Sequence, residues 1–172
     1  SKRLYSEHSE EAIIDSVFSY YGPQNKWCVD VGAFGIKSSN TYFLVNQGWQ
    51  SIQIEPNLDQ FLEMEKVYQD KGNVTLVHKF VTPGYLGGRD EPNCLESILS
   101  NYKIPENLDF LSIDVDSYEY EIWRYLKSYR PNLVCIECNQ AELDFDVVSY
   151  DPSFSLWKYK NHMGGLDIFT TL

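Results

Sequence analysis

The run Trp27-Cys28-Val29-Asp30-Val31-Gly32-Ala33-Phe34-Gly35 constrains the fold of this chain more than any other stretch. A series of β-formers carrying Asp30 leads into Gly32 and Gly35, and Asn40-Thr41-Tyr42-Phe43-Leu44-Val45 then reads as the start of a helix. Strand, tight turn and helix in that order open a parallel α/β sheet built to hold a nucleotide-like ligand. Glycine is wanted in the turn because the backbone must approach the ligand with no Cβ in the way.

The spacing is Asp-x-Gly-x-x-Gly. It differs from the Gly-x-Gly-x-x-Gly of dinucleotide sites, and neither a Lys nor a Ser/Thr follows as a phosphate-binding loop requires. The turn therefore points away from phosphate and toward S-adenosylmethionine, whose cationic sulfonium and amino group prefer carboxylates and carbonyls to a positive helix end. Downstream, Ser51-Ile52-Gln53-Ile54-Glu55 alternates and ends in a carboxylate. It lies roughly twenty residues past the turn, the separation at which an acid on the second strand accepts ribose hydroxyls. Glu55 is the expected ribose contact. The competing reading is a structural turn followed by a surface glutamate.

Apolar spacing predicts a helix from Glu10 to Tyr21, stopped at Gly22-Pro23, a first strand at Trp27 to Val31 and a helix from Ser39 to Gln47. A second strand spans Ser51 to Glu55, a helix Leu58 to Gln69 and a third strand Val74 to Phe80. Thr82 to Asn93, rich in Gly and Pro, is the longest loop, the kind of segment that covers a binding face. A short helix at Leu95 to Asn101 precedes a strand from Leu108 to Asp114 that is apolar on both faces and so central. A helix over Ser117 to Ser128 and a fifth strand at Leu133 to Glu137 follow, and Gly164 to Leu172 reads as a loop turning into a helix. Alternating strands and helices give a Rossmann-like three-layer α/β sandwich, with a mostly parallel sheet and helices on both faces. Further C-terminal strands of this architecture are expected beyond the pattern visible here.

With 43% hydrophobic residues, the 172 residues suffice for one substantial core, so residues 1–172 are read as a single domain. The net charge of -11 and the scattered placement of 14 basic residues argue against nucleic acid as a partner. No apolar run approaches membrane-spanning length and the N-terminus is polar, so the expectation is a soluble, cytoplasmic protein with no membrane partner. Cys135 and Cys138 form a Cys-x-x-Cys, but on a strand that offset sends them to opposite faces, against a shared metal or disulfide.

Four blocks together carry a family resemblance. They are Asp30-Val31-Gly32-Ala33 with Ser39-Asn40-Thr41; Gly48-Trp49 leading to Ile54-Glu55-Pro56; Leu108 to Asp116; and Arg130 to Asn139. In these the chain resembles the FkbM-like branch of class I S-adenosylmethionine-dependent methyltransferases, from about Tyr5 to Leu172. It departs from the pattern in a glycine loop one residue shorter before Ser39-Asn40-Thr41, and in Phe34, where an acidic or polar residue is usual. The resemblance implies a Rossmann-like fold and methyl transfer, and leaves the acceptor open.

Asp30, Glu55, Asp114, Asp116, Glu137 and Asn139 all fall at strand ends. Asp30 can hold the cofactor amino group, directly or through water, with Gly32 and Ala33 passing beneath the methionine portion; the structural alternative for Asp30 is a cap on the following helix, which Ser38, Ser39 and Asn40 could supply equally well. Phe34, Asn40, Pro56 and Asp114 complete the expected cofactor-binding set, with Phe80 and Val81 as the adenine wall. Core packing competes for Phe80. Asp114 and Asp116, two apart on an extended chain, place carboxylates on one side, where one can act as general base toward an acceptor hydroxyl. Glu137 and Asn139 join them. A divalent cation on these oxygens is the lesser reading, because a polyhydroxylated substrate would meet the same cluster without an ion. His162, beside Gly164-Gly165, is the preferred histidine; His78 is discounted as structural and His8 lies in the N-terminal approach.

The expected activity is therefore S-adenosylmethionine-dependent O-methylation of a small-molecule or carbohydrate hydroxyl. A non-catalytic methyltransferase-like binding module in a larger assembly is the alternative, and a nicotinamide-dependent oxidoreductase is disfavoured by the missing second glycine of its fingerprint. Oligomeric state is not legible.

Overall fold

The computed structural model describes residues 5–6, 9–36, 38–84, 91–116, 118–139 and 165–171. The elements run α1 (Glu10–Tyr21), β1 (Trp27–Val31), α2 (Tyr42–Asn46), β2 (Gln50–Glu55), α3 (Leu58–Tyr68), β3 (Val74–His78), α4 (Leu95–Ser100), β4 (Phe110–Ile113), α5 (Glu119–Arg124), β5 (Leu133–Asn139) and β6 (Gly165–Thr171). Local chemistry explains the ends. Gly22 at φ 75 closes α1 by returning its N–H to the Phe18 carbonyl, and Asn57 opens α3 by accepting the Asp59 and Gln60 N–H groups.

The strands form one sheet in the order β3-β2-β1-β4-β5-β6. β1 to β5 are parallel to their neighbours and β6 runs antiparallel to β5. Chain order reverses between β1 and β4, so the crevice where open α/β sheets bind ligands opens beyond the C-terminal ends of these two strands. In register, Asp30 stands opposite Gln53 on one side and Ser112 on the other.

Strand alternation divides the core into two faces. Val29, Val31, Ile52, Ile54, Leu111 and Ile113 pack with Leu95, Ile98 and Leu99 of α4 and Ile122 of α5. On the other face Cys28, Phe110 and Cys135 meet Ile14 of α1 with Phe43 and Leu44 of α2, while Met64 and Tyr68 of α3 pack on Ala33 and Val45. Each fully buried Leu or Ile contributes about 1.5–3 kcal/mol. These are the three layers that the alternating pattern predicts. At the opposite end of the sheet from the crevice, buried Asp109 accepts the N–H groups of Gln24, Asn25 and Lys26, clipping the approach to β1 onto β4.

One expected element is overturned. The Gly164–Leu172 segment, read as a loop turning into a helix, forms β6 instead, with Phe169 opposite Cys135 and Gly165 opposite Asn139. Its Ile168-Phe169-Thr170-Thr171 run is β-branched and aromatic, and the open edge of β5 supplies the hydrogen bonds that such residues favour. Several other elements are shorter than expected: α2 covers Tyr42–Asn46 rather than Ser39 to Gln47, β3 ends at His78 rather than Phe80, β4 covers Phe110–Ile113, α5 covers Glu119–Arg124, and α3 and α4 each end one residue early. Asp116 adopts φ 63, so the alternation assumed for Asp114 and Asp116 does not hold there. Among the described residues, no helix is long and apolar enough to cross a membrane.

Candidate functional site

Asp30 is only 4% exposed and faces the start of α2. Thr41 donates its hydroxyl to Asp30 Oδ2 at 2.6 Å, and Gln53 Nε2 donates to Thr41 Oγ1 at 2.9 Å and to Ser51 Oγ at 2.6 Å. Asn40 Nδ2 donates to Ser112 Oγ at 3.3 Å. Ser39 caps α2 by accepting the Thr41 and Tyr42 N–H groups, so the cap that competed with Asp30 is supplied by a neighbour. Burial pushes the Asp30 carboxyl up to about 6 against the Thr41 hydrogen bond, helped by the negative charges of Asp114 and Glu55. Asp30 thus feels the charges of both Asp114 and Glu55. The roles of Thr41, Ser51, Gln53 and Ser112 escaped the sequence reading; for the last three, polar residues at inward positions of otherwise apolar strands were the available signal.

Glu55 ends β2 and is 4% exposed. Its Oε1 accepts the Asn57 N–H at 2.6 Å, and its other oxygen has no hydrogen-bond partner among the described residues. Burial raises its pKa, opposed by that bond and by His78. Across the turn, Gly32 and Ala33 both donate their N–H to the Ile54 carbonyl, tying the glycine loop to β2. Gly32 has φ 80, and a Cβ there would stand 1.6 Å from the main-chain oxygen of Asp114. Phe34, next along, is 56% exposed.

Asp114 follows β4, and Glu137 stands across from it on β5, one step past the Ile113–Ile136 pair. With Glu119, the first residue of α5, they bring carboxylate oxygens within 4.8 Å of one another. Burial first, and then the adjacent Asp114 carboxylate, push Glu137 up to about 9, with Glu119 and Asp116 adding to the effect. Like charges this close cannot all ionise, so the cluster holds a proton at neutral pH. A hard cation would find here three of the roughly six oxygens it takes. Glu119 was not singled out from the sequence, although Asp116 and Glu119 have the acid-x-x-Glu spacing of a helix start.

Two aromatic groups meet beside the start of α5. Phe80, beyond the end of β3, is 56% exposed with its ring 6.2 Å from that of Tyr118, whose hydroxyl donates to the Val81 carbonyl at 3.2 Å. Val81 itself is buried. His78 Nε2 donates to the Pro56 carbonyl oxygen at 2.9 Å, a structural use of that side chain. Asp30, Glu55, Asp114 and Glu137 therefore gather at the crevice, with Asn40 beneath, while Phe34 stands out in solvent. His162 and His8 lie outside the described residues, as do residues 85–90 of the long loop.

No protein-family model matches this sequence, and no curated protein does. Solved structures do. The chain is similar to a precorrin-6y C5,15-methyltransferase from Geobacter metallireducens GS-15, at 16% identity and a TM-score of 0.51, covering 80% of this chain and 66% of that one. It is similar to an O-methyltransferase from Bacillus cereus in complex with SAH, at 14% identity and 0.51, covering 78% and 59%. A SAM-dependent methyltransferase from Thiobacillus denitrificans in complex with S-adenosyl-L-homocysteine gives 11% and 0.50, covering 85% and 56%. The chain has the fold of S-adenosylmethionine-dependent methyltransferases. It spans less than two thirds of the length of these structures, and identities this low speak to the methyltransferase fold alone.

Proposed function

We propose that this chain transfers a methyl group from S-adenosylmethionine to a hydroxyl of a small molecule or carbohydrate, as the FkbM-like resemblance of its motif blocks implies. One observation carries the reading: at the ends of the adjacent strands β1 and β2 stand two buried acids, Asp30 and Glu55, and the second keeps a carboxylate oxygen without a partner. An acceptor oxygen of that kind, at the end of the second strand, fits a ribose diol. The glycine turn, tied to β2 through Gly32 and Ala33, would carry the methionine portion, and Val81 and Phe80 would flank the adenine.

When bound, S-adenosylmethionine supplies an electrophilic methyl group on a sulfonium leaving group. The chain's own part is alignment and proton handling. Asp114, at the switch point and beside the glycine turn, takes the proton of the acceptor hydroxyl as its oxygen attacks. Glu137, already protonated, donates a hydrogen bond to Asp114 and keeps the pair from carrying two charges. Tyr118, just before α5, offers a ring face suited to the apolar face of a sugar or an aromatic acceptor.

Thermal shift with S-adenosylmethionine, S-adenosylhomocysteine and NAD, followed by label transfer from S-adenosyl-[methyl-³H]methionine to a panel of glycosides and phenols, tests this reading. Stabilisation by the first two ligands and label in a hydroxylated acceptor support it. Indifference to all three ligands would leave the binding module in its place.

A further inference from the structure

The main chain at Asp114 is gripped from one side by β1. The Asp114 N–H donates to the Val31 carbonyl at 2.9 Å, and its carbonyl rests against the bare Cα of Gly32. Past that point the ladder has ended, and the chain must turn sharply, with Asp116 at φ 63, to enter α5. The Val115 N–H lies within this turn. Glu119 accepts it with Oε1 at 2.9 Å, reaching back four residues from the first position of a six-residue helix. The Glu119 side chain is 5% exposed, and its carboxylate shares the 4.8 Å neighbourhood of Asp114 and Glu137.

We infer that Glu119 is a positioning residue for Asp114: by accepting the Val115 N–H it locks the turn between β4 and α5 and sets where the Asp114 carboxylate stands in the crevice. A charge-assisted hydrogen bond held away from water is the strong form of such a lock. A carboxylate in the first turn of a helix is also favourably placed toward the helix dipole. The short α5 cannot hold the turn by its own length, because a helix under two turns is marginal without outside contacts. Two grips, Gly32 on one side and Glu119 on the other, leave the Asp114 main chain one position. The catalytic meaning of the lock rests on the reading of Asp114 as the base, whereas the lock itself does not.

The test needs no acceptor. Amide exchange at Val115 and the ¹³Cγ resonance of Asp114, assigned by its loss in Asp114→Asn, are measured in wild type, Glu119→Ala and Glu119→Gln. Glu119→Ala is expected to speed Val115 exchange by at least about tenfold and to displace the Asp114 signal, while Glu119→Gln, which keeps an acceptor oxygen but not the charge, restores the exchange rate. A folded Glu119→Ala with wild-type values at both sites overturns the inference, and so does a Gln variant that exchanges like Ala. Should Glu119→Ala not fold, Glu119→Asp replaces it: one methylene shorter, it is expected to lose the lock, and wild-type values in it would equally overturn the inference. Full methyl transfer by Asp114→Asn would refute the base assignment instead and leave the lock on the turn standing.

Discussion

Gly32 and Asp114 touch where β1 and β4 part: a Cβ on Gly32 would lie 1.6 Å from the Asp114 main-chain oxygen. The glycine of the first turn is therefore required by the neighbouring strand, and the same contact brings the proposed base beside the proposed cofactor loop.

Gly32→Ala should accordingly cost more than about 3 kcal/mol, since backbone faces backbone and neither can yield. Gly48 has a similar φ of 85 but open space around it, so Gly48→Ala should cost only about 1 kcal/mol of left-handed strain. Urea unfolding of the two variants measures the contrast.

Much of this was legible in advance, for identifiable reasons. α1 and β1 were read to the residue because a 3.6-residue period ending in Gly22-Pro23, and a β-branched run ending in glycine, leave little choice. The strand-end acids followed from parallel topology alone. β6 was missed because Gly164-Gly165 reads as a turn while antiparallel pairing to β5 is a long-range matter that no local pattern encodes. Glu119 was missed because its role depends on the reversal at Asp116, and the polar row of Ser51, Gln53 and Ser112 because burial of a strand's polar side is set by what packs on it.

Stability should fall as pH rises. Glu137 keeps its proton in the fold up to about 9, while in the unfolded chain it loses it in the ordinary carboxylate range. The folded state therefore binds more protons across that window, and stability is lost as pH climbs through it. Asp30, pushed up to about 6, acts in the same sense over a narrower range. Glu137→Gln should flatten the decline in melting temperature between about pH 5 and pH 9 relative to wild type. Parallel curves would contradict the shared-proton pair.

Thr41→Val removes the hydroxyl that Asp30 accepts inside the protein, and should destabilise by about 1–3 kcal/mol. In an Asp30→Asn background the same change should cost less, because the buried charge it served is gone. Denaturant unfolding of the four proteins in the cycle gives the coupling.

Asp114→Asn should lower methyl transfer by roughly 100-fold or more, the scale of a lost general base, while S-adenosylmethionine affinity stays within about threefold. Label transfer and calorimetry on the same preparation separate the two effects.

Calorimetric titration of S-adenosylhomocysteine into wild type and Glu55→Ala tests the central claim most directly. The account predicts micromolar binding by wild type and a loss of about tenfold or more in the variant, where a charged partner of the ribose hydroxyls is missing. Equal affinity in the two proteins, or no heat of binding in wild type, would contradict it.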